Sequence, residues 1–137
     1  MSGAAKTTAA VLVMAFLAGC GEWSAETKAE ETAYQLVHGA DTLQTLQIAH
    51  NTRCYSEVGG ARSLIGPKPK PEAVLAWGVG LGLAHAGITE VINEAQLDGA
   101  SPWWQRTWQA ATIIPVIDTV HKNWGAGLQF GSSRVCP

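Results

Sequence analysis

The sequence predicts an all-α protein, a small bundle of about three helices that is either embedded in a membrane or apposed to one. Residues 33–50 place apolar side chains at helical spacing, residues 73–89 contain no Asp, Glu, Lys or Arg, and a third apolar stretch follows Ser101 and Pro102. Charged residues make up 15% of the chain and hydrophobic residues 47%. Soluble domains carry about 25% charged residues, so we expect apolar surface to meet lipid or a partner.

The first predicted helix has an apolar arc with a polar strip beside it. On a helical wheel the arc holds Ala33, Leu36, Val37, Ala40, Leu43 and Ile48. The strip holds Tyr34, His38, Asp41 and Thr45. We expect the last three, together with His85, to form a hydrogen-bonded network that fixes which helices pair. Its expected partners lie near the end of the third helix: Asp118, His121 and Asn123.

The second predicted helix begins after a proline-rich connector that ends at Pro71. His85 is the only ionisable side chain between residues 73 and 89, so this segment is the best candidate for membrane insertion, at the lower limit of spanning length. Gly78 and Gly82 are spaced four apart, which lets another helix approach closely.

The third predicted helix starts with Ser101 as N-cap and Pro102 at its first position. Tryptophan and arginine then cluster before the apolar stretch: Trp103, Trp104, Arg106 and Trp108. This composition is typical of a membrane-interface belt. The alternative is that these tryptophans cap a small helical core.

The N-terminus carries a charged residue, an apolar run and a short motif ending in cysteine. Lys6 precedes the apolar residues 7–18, which are too few to span a bilayer. The motif Leu17-Ala18-Gly19-Cys20 that ends this segment resembles the lipobox of bacterial lipoproteins. The resemblance implies cleavage after Gly19 and lipidation of Cys20. The predicted organisation is a signal peptide over 1–19, a lipidated tether over 20–32, a helical domain over 33–127 and a flexible tail over 128–137.

Charge and cysteine content limit the partners of the mature chain. Removal of residues 1–19 takes Lys6 from the 9 Lys and Arg, so 8 face 11 Asp and Glu, a net charge of −3. This balance argues against nucleic acid as a partner, because phosphates demand a basic surface. Cys54 and Cys136 remain after lipidation of Cys20, and they form either a disulfide in the exported compartment or two free thiols. The sequence contains no metal-binding pattern and implies no cofactor.

A second resemblance rests on short motifs in the helical domain. Asp41 is followed by Thr45 four residues later, a glutamate lies at Glu57, and Asn123 and Trp124 precede Gly127. With the glycine- and alanine-rich second helix, these features resemble small uncharacterised membrane proteins of bacteria and phages, which carry an Asp-x-x-x-Thr helix and a Glu-x-Asn-Pro loop. The resemblance implies a membrane architecture, and because these proteins have no assigned activity it implies nothing about chemistry.

These observations predict a lipid-anchored protein on the periplasmic side of the cell envelope, acting as a structural or interaction module without catalysis. Its expected partners are membrane lipid and either a second copy or another envelope protein. One alternative is an envelope enzyme or small-ligand binder that uses His38, Asp41 and His85, and another is a phage-encoded envelope or lysis-related lipoprotein. Inner and outer membranes both remain open, because Gly21 does not specify retention whereas a spanning helix would impose it.

Overall fold

A computed structural model describes residues 23–51, 53–57 and 61–128. Within these ranges there are four helices and no strand: α1 (Ala25–His50), α2 (Arg62–Ile65), α3 (Pro71–Leu97) and α4 (Trp103–Gly125). The long helices α1, α3 and α4 form an up-down-up bundle in which α1 packs against both of the others. The predicted all-α bundle of three main helices is confirmed.

Helix α1 begins at Ala25, earlier than the predicted domain start at residue 33. The side chain of Ser24 accepts a hydrogen bond from the backbone N–H of Thr27 at 3.0 Å, which caps the helix. The carboxylate of Glu26 lies in the first turn, where a negative charge is stabilised by the positive end of the helix dipole. Trp23, just before the helix, donates its indole N–H to Glu90 of α3. Residues 25–32, expected to be a tether, are therefore packed helical turns of the bundle. The predicted signal peptide and Cys20 lie outside the described residues.

The connections between the helices are short and are held by a few backbone contacts. After α1 the chain turns, and the backbone N–H of Glu57 donates to the carbonyl of Pro67 at 2.8 Å. Pro71 occupies the start of α3, where its missing N–H costs nothing. The turn from α3 to α4 passes through Gly99 at φ +98°, a backbone conformation that favours glycine. Leu128, assigned to the flexible tail, is buried, whereas residues 129–137 lie outside the described ranges.

The distribution of side chains is the reverse of that in a water-soluble bundle. Among the described residues, eleven polar or charged side chains are buried, against six apolar ones. Fourteen large apolar side chains are exposed, thirteen of them on the three long helices and Leu64 on α2. Leu36 and Leu43, in the apolar arc of α1, are 68% and 53% exposed, whereas His38 and Thr45 of the polar strip are buried. The polar strip is therefore the packing face of α1.

Two glycines of α3 bring its backbone close to α1. An added Cβ at Gly78 would lie 2.5 Å from the side chain of Thr42, and one at Gly82 would lie 2.9 Å from the amide oxygen of Gln35. On the opposite side of α3, Gly80 has no such neighbour within 4 Å among the described residues. The inward glycines thus set the spacing of the two helices, and Gly80 does not.

Candidate functional site

The interior of the bundle contains a group of hydrogen-bonded side chains around a buried carboxylate, here called the Glu31 cluster. Its members come from all three long helices: Glu31 and Gln35 of α1, His85 and Thr89 of α3, and Gln109 and Thr112 of α4. Glu31 is 2% exposed and His85 is also 2% exposed. A buried carboxylate is costly unless its oxygens are hydrogen-bonded, so the partners of Glu31 decide whether the cluster is stable.

Both oxygens of the Glu31 carboxylate have partners. Oε1 accepts from Gln35 Nε2 at 2.7 Å, and Oε2 accepts from the Thr89 hydroxyl at 2.8 Å and, more weakly, from Gln109 Nε2 at 3.4 Å. Oε2 also lies 2.9 Å from Nδ1 of His85. Partners on both neighbouring helices therefore converge on one carboxylate, which links α1 to α3 and to α4.

The hydrogen bonds around His85 place a single proton between it and Glu31. With the hydroxyl of Thr112 donating to the backbone carbonyl of Trp108 at 2.8 Å, its oxygen accepts from an Nε2–H of His85 at 2.9 Å. Nδ1 then shares one proton with Glu31, either as imidazolium and carboxylate or as imidazole and carboxylic acid. In both forms the pair is neutral overall, which suits an interior that excludes water.

Aromatic rings enclose His85 on two sides. Its ring stacks on Tyr34 with a centroid distance of 3.4 Å and on Trp108 with a distance of 4.9 Å. Trp108 also donates its indole N–H to Thr89 at 3.1 Å. The rings fix the orientation of the imidazole and keep the Glu31 cluster away from the outside of the bundle.

His38 lies between the two polar regions of the interior. Its ring stacks at 5.5 Å on Tyr34, the same ring that contacts His85, and its Nε2 lies 2.8 Å from the carbonyl of Gly78. An Nε2–H that donates to this carbonyl holds α1 against α3 at the point where glycine allows close approach. His38 is thus a helix-pairing residue.

A second group, the Asp41 cluster, lies nearer the end of the bundle that contains Cys54. It consists of Asp41, Thr45, Glu57 and Asn123. The Thr45 hydroxyl donates to Glu57 at 3.5 Å, and Asn123 Nδ2 donates to Asp41 at 3.5 Å. Beside them Gln44 is fully buried and donates to the carbonyls of Val120 and Leu128. These contacts tie α1 to the loop before α2 and to the end of α4. The two hydrogen bonds between members of the Asp41 cluster, at 3.5 Å, are longer than those to Glu31.

The structure divides the predicted network into these separate parts. His85 belongs to the Glu31 cluster and Asp41 and Thr45 to the Asp41 cluster, while His38 contacts the backbone of α3 between them. Of the three partners expected from the third helix, only Asn123 approaches the network. Asp118 pairs instead with Lys122 on the surface, and His121 is exposed.

The predicted tryptophan and arginine belt is also divided. Trp103 and Trp104 are 69% and 66% exposed, and Arg106 is exposed and paired with Glu26 at 3.2 Å. Trp108 is half-buried and turns toward His85 and Thr89, apart from the other three, and its place at a membrane interface stays a prediction. Its direction follows from helical geometry, because Trp108 falls on the same side of α4 as Gln105, Gln109 and Thr112, which face the interior.

Cys54 is disulfide-bonded, and its partner lies outside the described residues. The pairing of Cys54 with Cys136 therefore stays a prediction. No group of three or more His, Cys, Asp or Glu side chains within the described ranges is placed to hold a metal ion.

Glu31, Gln35, Thr89 and Gln109 were missed as site residues by the sequence reasoning. Glu31 falls in the segment expected to be a tether, Gln35 was given no role, and Thr89 was treated as the edge of an apolar run. For Glu31 the available signal was helical spacing. Residue 31 extends the polar strip at residues 34, 38, 41 and 45 by one turn toward the N-terminus. Extending the polar strip by one turn would have included Glu31.

No protein-family model, curated protein sequence or solved structure matches this chain. The role of the two clusters therefore follows from their own geometry.

Proposed function

We propose that this protein is a lipid-anchored, membrane-embedded helical bundle of the cell envelope, acting as a structural or interaction module without catalysis. The observation that carries the proposal is the inverted side-chain distribution, polar inside and apolar outside. In water the burial of a Leu, Ile or Val side chain contributes about 1.5–3 kcal/mol, so the fourteen large apolar side chains that stay exposed would add little to the stability of the fold. In lipid the outward apolar faces are solvated, and polar groups are best paired inside the bundle.

Helix α3 supports this proposal by its composition and its burial. Pro71–Leu97 is the one helix of the described residues that is long and apolar enough to cross a membrane. Only 28% of its most apolar window is buried in the bundle. A core helix of a water-soluble protein would be mostly buried. The exposure of Val79, Leu83 and Ile88 along the middle of α3 instead suits contact with acyl chains.

The spacing of the tryptophans in helix α4 also supports the proposed embedding in a membrane. Trp103 and Trp104 are exposed at its start and Trp124 is exposed at its end. At 1.5 Å per residue, Trp103 and Trp124 are separated by about 31 Å, close to the ~30 Å hydrocarbon thickness of a bilayer. Tryptophans near both ends of a membrane helix are typical of the two membrane interfaces. Between them α4 also carries Arg106, Asp118 and Lys122, so it is less apolar than α3.

The two ends of the bundle differ in charge. The end where α1 begins, called the Trp23 end, carries more acidic than basic residues: Glu26, Lys28, Glu30, Glu90, Glu94, Asp98 and Arg106. The opposite end, called the Cys54 end, has the basic residues Arg53, Arg62, Lys68, Lys70 and Lys122 against the acidic Glu57, Glu72 and Asp118. The positive-inside rule places the Cys54 end in the cytoplasm. The predicted lipid on Cys20, next to the Trp23 end, belongs outside, so both signals support one orientation.

One observation favours a second arrangement, in which the bundle lies against the outer side of the membrane. Cys54 is disulfide-bonded, and stable disulfides are rare in the reducing cytoplasm. If the Cys54 end were exported, the bundle would be apposed to the membrane by its apolar face and held by the lipid on Cys20. The two arrangements place the Cys54 end on opposite sides of the bilayer.

The experiment that tests the anchor compares Cys20→Ser with Cys54→Ser in the native host. We expect radiolabelled palmitate to enter the wild type and Cys54→Ser and not Cys20→Ser. Palmitate absent from the wild type, with an intact N-terminal methionine, would refute the lipid anchor.

Extraction and labelling then distinguish the two arrangements. An embedded bundle stays in the membrane pellet at alkaline pH even as Cys20→Ser, and its Cys54 reacts with a membrane-impermeant thiol reagent only after the cells are opened and reduced. An apposed bundle is released as Cys20→Ser, and its Cys54 reacts in intact cells once reductant is added.

The proposal that the protein has no catalytic activity rests on the hydrogen bonds that Glu31 and His85 already make inside the bundle. The Glu31 carboxylate accepts from side chains of all three long helices and both ring nitrogens of His85 are engaged, so these groups are occupied by contacts within the bundle. Clusters in which hydrogen bonds join several helices specify helix pairing. An alanine at Asp41 that left the fold intact but removed a measurable envelope phenotype would instead support the enzyme or ligand-binding alternative.

A further inference from the structure

The outward face of α4 carries a shallow apolar groove near the Trp23 end. Its volume is about 560 Å³, and its lining includes Trp103, Arg106, Ala110, Ala111, Ile114 and Pro115. Ala110 and Ala111 project only a methyl group, so the helix surface is low between the larger side chains of Trp103 and Ile114. The groove is open to the surroundings of the bundle along its length.

Among the described residues, Arg106 is the only charged one in the lining of this groove. Its guanidinium donates to Glu26 at 3.2 Å, and the two side chains are 62% and 63% exposed. A pair this exposed is weak, so either partner is readily exchanged for a ligand group of opposite charge. The guanidinium also has further N–H donors that this single contact does not use.

The length and position of the groove match one leaflet of a bilayer. From Arg106 to Pro115 the helix rises about 14 Å, close to half of the ~30 Å hydrocarbon core. Arg106 and the exposed Trp103 and Trp104 lie at the headgroup end of this path. This is the end of the bundle where α1 begins, and therefore the leaflet that would receive a lipid on Cys20.

We propose that this groove binds a zwitterionic phospholipid whose headgroup carries a phosphate and a primary ammonium group, as in phosphatidylethanolamine. The phosphate binds Arg106, the ammonium binds Glu26, and one acyl chain lies along Ala110, Ala111 and Ile114. This inference rests on the proposed membrane location. It adds to that proposal the class of lipid that is bound and the two side chains, Arg106 and Glu26, that select its headgroup.

The charge of the surroundings selects the headgroup. The Trp23 end has five acidic and two basic side chains, so a headgroup with net negative charge is repelled there, whereas an ammonium is attracted. A primary ammonium also offers N–H donors to the Glu26 carboxylate, which a quaternary ammonium lacks. Phosphatidylethanolamine therefore fits better than phosphatidylglycerol or phosphatidylcholine.

A second groove provides an internal comparison. It lies between α1 and α4 toward the Cys54 end and has a volume of about 430 Å³. Its lining is apolar, with residues such as Leu36, Ala40 and Ile117, except for His121. The described residues that line it include no Lys, Arg, Asp or Glu. We expect acyl chains to occupy it without selection of a headgroup.

The test measures lipids retained by the purified full-length protein in native mass spectra, with the three phospholipids supplied at equal concentration and with identical acyl chains. We expect the wild type to retain phosphatidylethanolamine over the other two. Arg106→Gln and Glu26→Gln should each lower this retention about fivefold or more, as expected when a charge-assisted hydrogen bond is lost. Ala111→Trp should lower it by filling the groove while the charged pair stays intact.

Lys122→Gln is the matched control, because Lys122 is an exposed cation of α4 that pairs with Asp118 away from this groove. It should leave retention unchanged, and circular dichroism should show equal helix content in all variants. Equal retention of the three lipids by the wild type, or selectivity that survives in Arg106→Gln and Glu26→Gln, overturns the inference. Neither result affects the membrane location, whereas alkaline release of the wild type from membranes overturns both.

Discussion

The two faces of helix α3 differ in the residues they carry. The inward face has glycine and polar residues, and the outward face has aliphatic ones. The inward face pairs Gly78 and Gly82 with His85 and Thr89, and every one of these residues contacts a named partner on α1 or α4. The outward face carries aliphatic side chains such as Leu83 that are exposed in the described part of the bundle. The inward face therefore specifies which helices pair, and the outward face needs only to be apolar.

The largest effect is expected from removing the carboxylate at the centre of the inward side. Glu31→Ala leaves His85, Thr89 and Gln35 without their shared acceptor. Breaking a buried pair of this kind typically costs about 3–5 kcal/mol, so the free energy of unfolding in detergent should fall by about that amount. Titration with a denaturing detergent, followed by circular dichroism, measures it.

Glu26→Ala is the control for this prediction, because Glu26 belongs to the same helix and pairs with Arg106 on the surface. An exposed pair contributes about 0–1 kcal/mol, so this variant should unfold almost like the wild type. Equal losses for Glu31→Ala and Glu26→Ala would mean that the interior cluster does not stabilise the bundle.

A charge on the outward face tests whether lipid surrounds it. Leu83→Arg lies in the middle of α3, where an arginine in a membrane costs about 2.5–3.5 kcal/mol on insertion scales. In water the same exposed substitution would change the free energy of unfolding by less than about 0.5 kcal/mol. We expect a reduced fraction of Leu83→Arg in the alkaline membrane pellet, measured by immunoblotting.

Leu97→Arg serves as the comparison for Leu83→Arg, because Leu97 is also an exposed leucine but is the last residue of α3, which the proposed embedding would put near the headgroups. Its arginine can reach the interface, so most of the protein should remain in the membrane pellet. If both variants remain there as the wild type does, the middle of α3 does not contact the hydrocarbon core.

The inward Gly78 and the outward Gly80 allow the two faces of α3 to be compared by the smallest substitution, glycine to alanine. In Gly78→Ala the new Cβ would lie 2.5 Å from Thr42, so α1 and α3 must move apart and we expect a loss of about 1–3 kcal/mol. In Gly80→Ala the new Cβ meets none of the described residues within 4 Å, and alanine favours the helix by up to about 1 kcal/mol. Changes of opposite sign in the free energy of unfolding would confirm the assignment of faces, and a stabilising Gly78→Ala would contradict it.

The sequence was sufficient to predict the helical content and approximate limits of the long helices. Periodicity located the faces of α1, and the uncharged segment around His85 located α3. What periodicity could not decide was which face points inward, because a helical wheel has the same pattern in a soluble bundle and in an inverted one. Polar side chains are buried favourably only where they find hydrogen-bond partners on another helix. His38 finds such a partner on α3 and points inward, so Leu36 and Leu43 on the other side of α1 point outward.

The site was less predictable because its members come from distant parts of the chain. Glu31 and His85 are 54 positions apart, and Glu31 and Gln109 are 78 apart. No short motif joins them, so only the packing of three helices shows that they meet. His85, in contrast, was identifiable from sequence as the single ionisable group of an apolar helix, since such a group is retained only when it has a partner.

The smallest effect is expected in the Asp41 cluster, where the hydrogen bonds are longest. Asp41 and Asn123 approach to 3.5 Å, so removing either should cost less than removing Glu31. A double-mutant cycle with Asp41→Ala and Asn123→Ala isolates their coupling free energy, for which about 0.6 kcal/mol is typical of side-chain hydrogen bonds in membrane bundles. A coupling well above that value would place the decisive helix-pairing contact at the Cys54 end, and a value near zero would leave the Glu31 cluster as the element that specifies the bundle.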